Sequence, residues 1–422
     1  MNKNSIIKKA GIAIVIPLLL QACLFILAIS DSGIITALRN NSINNFKDKG
    51  YDKHAHIEEQ MFQNGGHINK NVDNINSYIL DTLEKKGLST NELNSDYNTS
   101  KEILTSTSKY MMNIIKETHT TDVFLILDTI EANQENSELV EKHGIYIKNT
   151  DPLRNSKDGS DLYIEIGPRD IASDLKINTN SNWREKYTFN KNDSNNDFFY
   201  KPINEAKKHK NIYVRDFGYW GKPSIITNDN TKVITYSIPL INEEGIPYGV
   251  LGIGIDSNYI SRFFKSNELN KIDGYAFFVE NDEVNKNEFK LEDVIAIDNK
   301  NKALLENYKN KNIKIDKVLE DIYELKNEED INDITYIFKK RLDLYNFNNK
   351  FLNEGMDIVL FLNDNNLFYQ INRFENLLEV SILISTLVGI IISLVLVRRL
   401  TKPTIALAEK VRESNPREPL NL

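Results

Sequence analysis

A chain of 422 residues with a formal net charge of −8 is long enough for more than one hydrophobic core, and its acidic balance argues against a nucleic-acid partner, which needs a basic face. Its single cysteine, Cys23, excludes a disulfide framework. Two stretches, Ala10–Ser30 and Val380–Val397, contain no charged residue. As helices each would be roughly 30 Å long, the thickness of a bilayer's hydrocarbon core. Lys3, Lys8 and Lys9 precede the first, and Arg398, Arg399 and Lys402 follow the second. The positive-inside tendency then sets both ends in the cytoplasm and the 31–376 segment outside. A cleaved signal peptide, or a lipoprotein signal ending in "LQAC" at Cys23, competes with the first span. The apolar run continues through Ile29, which favours a retained span.

Beyond Ser32, apolar residues recur at helical spacing (Ile34, Leu38, Ile57, Met61, Ile68, Val72, Ile75, Ile79, Leu83) with no proline. The pattern predicts a long helix rising from the first span and weakened locally at Gly65-Gly66. A second helix is predicted over Ser100–Thr118. The period then changes: "TDVFLILDTI" reads as a buried strand, and "GIYIKN" and "DLYIEIG" as shorter ones. "TKVITYSIPL" and "YGVLGIGI", joined by "INEEGIP", read as a hairpin, with "DSNYISRFF" a short helix behind it. A second round follows, with "GYAFFVEN", "TYIFKKRLDLY" and "GMDIVLFLN" as strands and "NKALLENYKN" as a helix. No Pro or Gly interrupts Asn366–Val388, which predicts a continuous rod running from about Asn365 through the second span. The fold class expected is α+β: a long N-terminal helix and two stacked α+β modules between two transmembrane helices.

This layout resembles the double CACHE extracytoplasmic sensors of bacterial receptors, whose modules are PAS-like. The resemblance rests on the first span, the long helix, "ITYSIPLINEEGIPYGVLGIGID", the second span and its exit. It implies a distal module at about 119–266, a proximal module at about 273–364, and spans at 10–30 and 377–397, with residues 1–9 cytoplasmic. The exit "RRLTKPTIALAEKVRES" resembles the first helix of a HAMP relay, so 398–422 reads as a partial HAMP domain with "SNPREPLNL" opening its connector. Leu400, Thr404, Leu407 and Val411 lie near a/d spacing, which suits a homodimeric coiled coil. The function implied is a receptor that binds a small extracellular ligand and passes the signal through the membrane to a cytoplasmic effector domain or partner. The competing readings are the sensor half of a signalling enzyme (diguanylate cyclase or histidine kinase), a chemoreceptor, and a tethered solute-capture protein.

In the family, ligands bind the distal module. Here both tryptophans, Trp183 and Trp220, lie before the hairpin among Tyr187, Tyr200 and Tyr219, with Arg184 and Asp216 as charges and Tyr236 on the first hairpin strand. Aromatic walls with a few charged groups suit a small polar ligand, and ordinary core uses the same residues. The candidate ligand-binding set is Trp183, Arg184, Tyr187, Tyr200, Asp216, Tyr219, Trp220 and Tyr236. Relatives that bind amino acids carry Arg-x-Trp-Tyr and an Asp in the Gly-rich strand. Aligned on Trp183, those positions hold Ser181, Arg184 and Gly254, which leaves an ammonium group without an evident counter-charge. A free α-amino acid bound by that scheme is therefore not expected.

"GIGIDS" is one residue short of a dinucleotide fingerprint and lies inside a strand, so no cofactor is expected. His54 and His56 read as a solvated helix face rather than a metal site, and the acidic run Asn281–Asp293 as surface loop. No Walker loop, nucleophile elbow or zinc motif is present, so no catalytic activity is expected of this chain.

Overall fold

The computed structural model describes residues 3–94, 97–129, 138–154, 156, 159–209, 212–264, 273–279, 288–290, 295–296, 312–326 and 334–413. In chain order, helices α1 (Lys3–Asp31), α2 (Ile34–Lys85) and α3 (Tyr97–Thr118) come first. Then follow β1 (Asp122–Leu127), β2 (Leu139–Lys142), β3 (Gly144–Asn149), β4 (Leu162–Ile166), α4 (Arg169–Leu175), β5 (Asn178–Arg184), β6 (Tyr187–Asn190) and α5 (Asp197–Lys208). The first module closes with β7 (Tyr219–Trp220), β8 (Ser224–Ile225), β9 (Lys232–Ile241), β10 (Pro247–Asp256) and α6 (Ser257–Phe264). The second holds β11 (Gly274–Val279), β12 (Glu288–Lys290), β13 (Ile295–Ala296), β14 (Asn312–Lys314), β15 (Asp316–Leu319), β16 (Ile322–Lys326), β17 (Ile334–Leu342) and β18 (Met356–Asn363). Helices α7 (Asp364–Leu367) and α8 (Tyr369–Glu413) end the described chain. The helix expected at "NKALLENYKN", most of the acidic run at 281–293 and the relay connector at 414–422 lie outside the described residues.

The chain divides into two compact units, one of Met1–Phe46 with Asp364–Leu422 and one of Lys47–Asn363. The larger unit holds both α+β modules. The distal sheet runs β5-β4-β3-β1-β10-β9-β7, with β8 also paired to β9. Its neighbours are antiparallel except β4 and β5. The proximal sheet runs β13-β11-β18-β17-β16-β15. Each module pairs its opening strand antiparallel with its closing strand, β1 with β10 and β11 with β18, so the two modules share one plan.

The hairpin expected at 231–255 is present, with Gly245 at φ +79° in its turn. Asn242 Oδ1 fixes that turn by accepting the N–H groups of Glu244 and Ile246. One face of the distal sheet packs on α3, whose Ile103, Leu104, Met111, Ile114 and Ile115 are buried. The other face carries Phe124, Ile126, Tyr146 and Val250 in a cluster with Phe198, Phe199 and Ile203 of α5. In α2 the periodic residues from Ile57 to Leu83 are buried as their spacing predicts, and the helix runs unbroken through Gly65-Gly66. Gly65 lies beside the ring of Tyr236, about where a methyl group would make ordinary contact.

In the smaller unit α1 packs along α8, Gly11 beside Leu394 and Gly389 beside Leu18. Both helices are long and apolar enough to cross a membrane, and their large apolar side chains are mostly uncovered by protein. Two expectations are corrected. The first helix does not flow into the second: the chain breaks at Ser32-Gly33, where Gly33 takes φ +71°. The helical stretch expected from about Asn365 is present but not continuous: one bent residue, Phe368, separates α7 from α8. Arg39 braces that bend, its guanidinium 5.1 Å from the Phe368 ring centroid and 3.7 Å from Glu375.

Candidate functional site

The glycines of "GIGI" are explained by the strand beside them. In the β1–β10 register Phe124 lies opposite Gly252 and Asp122 opposite Gly254, all on the face that α5 covers. A Cβ on Gly252 would run into the Phe124 ring, and one on Gly254 would sit 2.9 Å from Asp122 Cβ. The two glycines make room for a ring and a carboxylate from the neighbouring strand. A carboxylate therefore stands one strand over from position 254, where the sequence alone showed none.

Asp122 belongs to a buried polar cluster. Lys148 faces it in register on β3, and its Nζ lies 2.5 Å from Asp229 and 3.6 Å from Asp256. Glu165 on β4 is 1% exposed and accepts a hydrogen bond from Asn180 at 2.5 Å. Four carboxylates thus surround one lysine. Burial pushes the Asp122 carboxyl up to about 7, against the pull of Lys148, and burial also raises Glu165. For Lys148, burial works downward but is outweighed by Asp122, Asp229 and Glu165, which hold the ammonium charged. The Tyr146 hydroxyl lies beside Asp122 and the Thr227 hydroxyl beside Glu165, and each favours the charged form of its carboxyl.

Beside this cluster lies a cavity of about 390 Å³, lined by Arg184, Tyr187, Phe189, Asn190, Phe198, Ile226 and Thr227 among others. Thr227 joins the two regions, donating to Asp229 Oδ1 at 2.9 Å and lying next to Glu165. Arg184 gives one guanidinium nitrogen to the Ile226 carbonyl at 2.5 Å, and its Nε has no partner among the described residues. Aromatic walls, amide side chains and one part-used guanidinium suit a small molecule with several polar groups.

Of the eight candidate residues, Arg184 and Tyr187 meet on this cavity. Trp183 points elsewhere, its Nε1 donating to the Gly167 carbonyl and its ring lying 4.7 Å beneath Arg169. Tyr200 packs against Phe189 and Phe199. Asp216, Tyr219, Trp220 and Tyr236 gather where the distal and proximal modules meet. There Tyr236 donates to Asn69 at 2.9 Å and the Trp220 ring lies 5.0 Å from that of Tyr236, tilted by 45°. The polar cluster was missed, yet it had a signal: Asp122 opens β1, Lys148 lies near the end of β3 and Glu165 interrupts β4, each next to an apolar run where an ionisable group calls for a partner. His54 is also corrected. It is buried, with Nε2 2.6 Å from the Arg341 carbonyl, while its neighbour His56 is solvated.

No family model and no curated protein matches the sequence. Among solved structures, the periplasmic sensory domain of the Campylobacter jejuni chemoreceptor Tlp1 matches at 15% identity and TM-score 0.31, over 78% of this chain and 98% of that one. The chain is similar to sensory domains of chemoreceptors. The ligand-binding domain of C. jejuni Tlp3 in complex with L-valine matches at 11% identity and TM-score 0.29, over 77% and 97% of the two chains. A structure described as methyl-accepting chemotaxis protein X matches at 8% and 0.33, over 76% and 98%.

Proposed function

We propose that the chain is a two-pass membrane sensor of the double CACHE type whose distal module captures a small polar molecule bearing a cationic group. The observation that carries this reading is the cavity beside Thr227, backed by four carboxylates gathered around the single Lys148. A cationic group entering past Thr227 would satisfy Glu165 and Asp122, and the Arg184 Nε would take an acceptor at the other end of the ligand. Ser181 and Arg184 still depart from the amino-acid motif, so a free α-amino acid held in the usual way is not the ligand proposed.

In this reading α1 and α8 cross the membrane with both termini cytoplasmic and residues 31–376 outside. The chain works as a homodimer and signals through α8 to an effector. α8 continues through Pro403 to Glu413, with Leu400, Leu407 and Val411 exposed, which supports a HAMP-like coiled coil with a second copy. The effector domain itself would decide between a chemoreceptor and a signalling enzyme such as a diguanylate cyclase or histidine kinase.

Isothermal titration of the full chain in lipid nanodiscs against small cationic and anionic metabolites tests the site. Binding of a cationic compound that weakens at least tenfold in Arg184→Ala and in Asp122→Asn is the expected result. Binding confined to anions, or indifferent to both substitutions, would sink the assignment.

A further inference from the structure

The residues at the meeting of the two modules are held by one loop. Between β17 and β18, residues 343–355 leave the proximal sheet and close over the stretch 216–221 of the distal module. The Tyr345 hydroxyl accepts the Trp220 N–H at 2.9 Å, Asn349 Nδ2 donates to the Gly218 carbonyl at 2.9 Å, and the Lys350 N–H donates to the Asp216 carbonyl at 2.8 Å. The Phe351 ring lies 4.8 Å from that of Tyr219, and Glu354 pairs with Lys201 of α5. Its root is tied to α2, where the Asp343 N–H donates to Glu58 at 2.7 Å and His54 meets the Arg341 carbonyl. Internal turns preform it, since Asn349 Oδ1 accepts the Phe351 N–H at 2.7 Å and Arg341 donates to the Leu352 carbonyl at 2.7 Å.

We propose that this loop is a coupling strap that links the state of the distal cavity to the proximal module. The physical link is α5. Phe198 lines the cavity, and Lys201, nearly one turn later on the same helix, holds Glu354 while lying 5.0 Å over the Tyr219 ring. Gly221, at the end of the clamped stretch, lies against Phe198. A ligand that shifts α5 by a fraction of a turn must either stretch these contacts or carry the strap with it. The strap enters β18, a central strand of the proximal sheet that leads in sequence into α7 and α8. A passive glue between modules would need area; the strap instead places three directed hydrogen bonds on one six-residue stretch and an ion pair on α5, an arrangement with discrete alternatives.

The strap rests on the reading of the cavity as the ligand site only for its purpose, so its test uses no ligand. Amide hydrogen exchange is measured on the full chain in lipid nanodiscs for Lys201→Glu, Glu354→Lys and the two together, with Lys201→Met as a neutral variant that keeps the stem over Tyr219. Each single change is expected to raise exchange about threefold in both α5 and residues 343–355, the effect of losing a half-exposed ion pair. The swapped pair is expected to be clearly better protected than either single change, short of wild type because Asp197, 3.8 Å from Lys201 Nζ, repels a carboxylate there, with β1 and β10 unchanged throughout. Tyr345→Phe in a Trp183→Phe background is expected to shift the emission of Trp220, then the sole tryptophan. Effects confined to the module that carries each substitution, or a swapped pair no better protected than the singles, would overturn the proposal.

Discussion

Asp122 and Gly254 face each other across the β1–β10 pair, and the carboxylate fills the space that a side chain at 254 would need. A Cβ there would also meet Val233 Cγ1 at 2.5 Å, so neither neighbour gives way freely. Gly254→Ala is expected to destabilise the chain by about 1–3 kcal/mol, the usual cost of overpacking a closed core. Unfolding of the full chain in detergent checks this. A loss under about 0.5 kcal/mol, the scale of an ordinary surface change, would mean that Asp122 does not occupy this space.

The same burial makes Asp122 a pH-dependent liability. Its carboxyl is pushed from 3.8 up to about 7 in the folded chain, so between those values the unfolded chain releases a proton that the folded chain keeps. Stability from this group is then greatest at low pH, falls as pH rises from about 4 to about 7 by at most about 1.4 kcal/mol per unit, and is flat above. Asp122→Asn cannot ionise. Its stability advantage over the wild type is expected to grow across that window and stay constant beyond pH 7, which thermal unfolding of both proteins from pH 4 to 8 would show. An advantage that shrank with rising pH would place the folded carboxyl below 3.8.

Periodicity and composition made the elements legible because each buries a face with a regular repeat: Ile57 to Leu83 on α2, and the apolar runs of β1, β9, β10 and β18. The breaks were harder to read. Gly33 separates α1 from α2 through a positive φ, and the bend at Phe368 splits α7 from α8, neither of which neighbouring hydrophobicity encodes. The candidate site was half legible. Aromatic residues signalled enclosure but not which enclosure, because Tyr219 and Trp220 under the strap and Tyr187 on the cavity carry the same chemistry. Strand pairing decided the rest. The absence of Asp at 254 is informative only once Asp122 is known to be its cross-strand neighbour.

The proposed topology is open to a direct check. With Cys23 replaced by Ser, a cysteine at exposed Ser194 of the distal module is expected to react with a membrane-impermeant maleimide in intact cells. A cysteine at Ala406, beyond the second apolar stretch, is expected to react only after lysis. The opposite pattern would invert the chain, and labelling of both in intact cells would remove the second span.

If a cationic ligand is held by Asp122, its binding must compete with a proton. The free site ionises with a carboxyl at about 7, so below that value each ligand bound as a cation has to displace a proton first. Affinity is then expected to rise up to tenfold per pH unit as pH climbs toward 7 and to level off above it. Proton release measured by titration calorimetry in buffers of different ionisation enthalpy gives an independent reading: close to one proton per ligand at pH 6, and close to none at pH 8. Asp122→Asn should bind weakly and without this slope. A ligand whose affinity falls as pH rises toward 7, or whose slope survives in Asp122→Asn, would move the counter-charge away from Asp122 to another member of the cluster, with Glu165, also raised by burial, next to be tested.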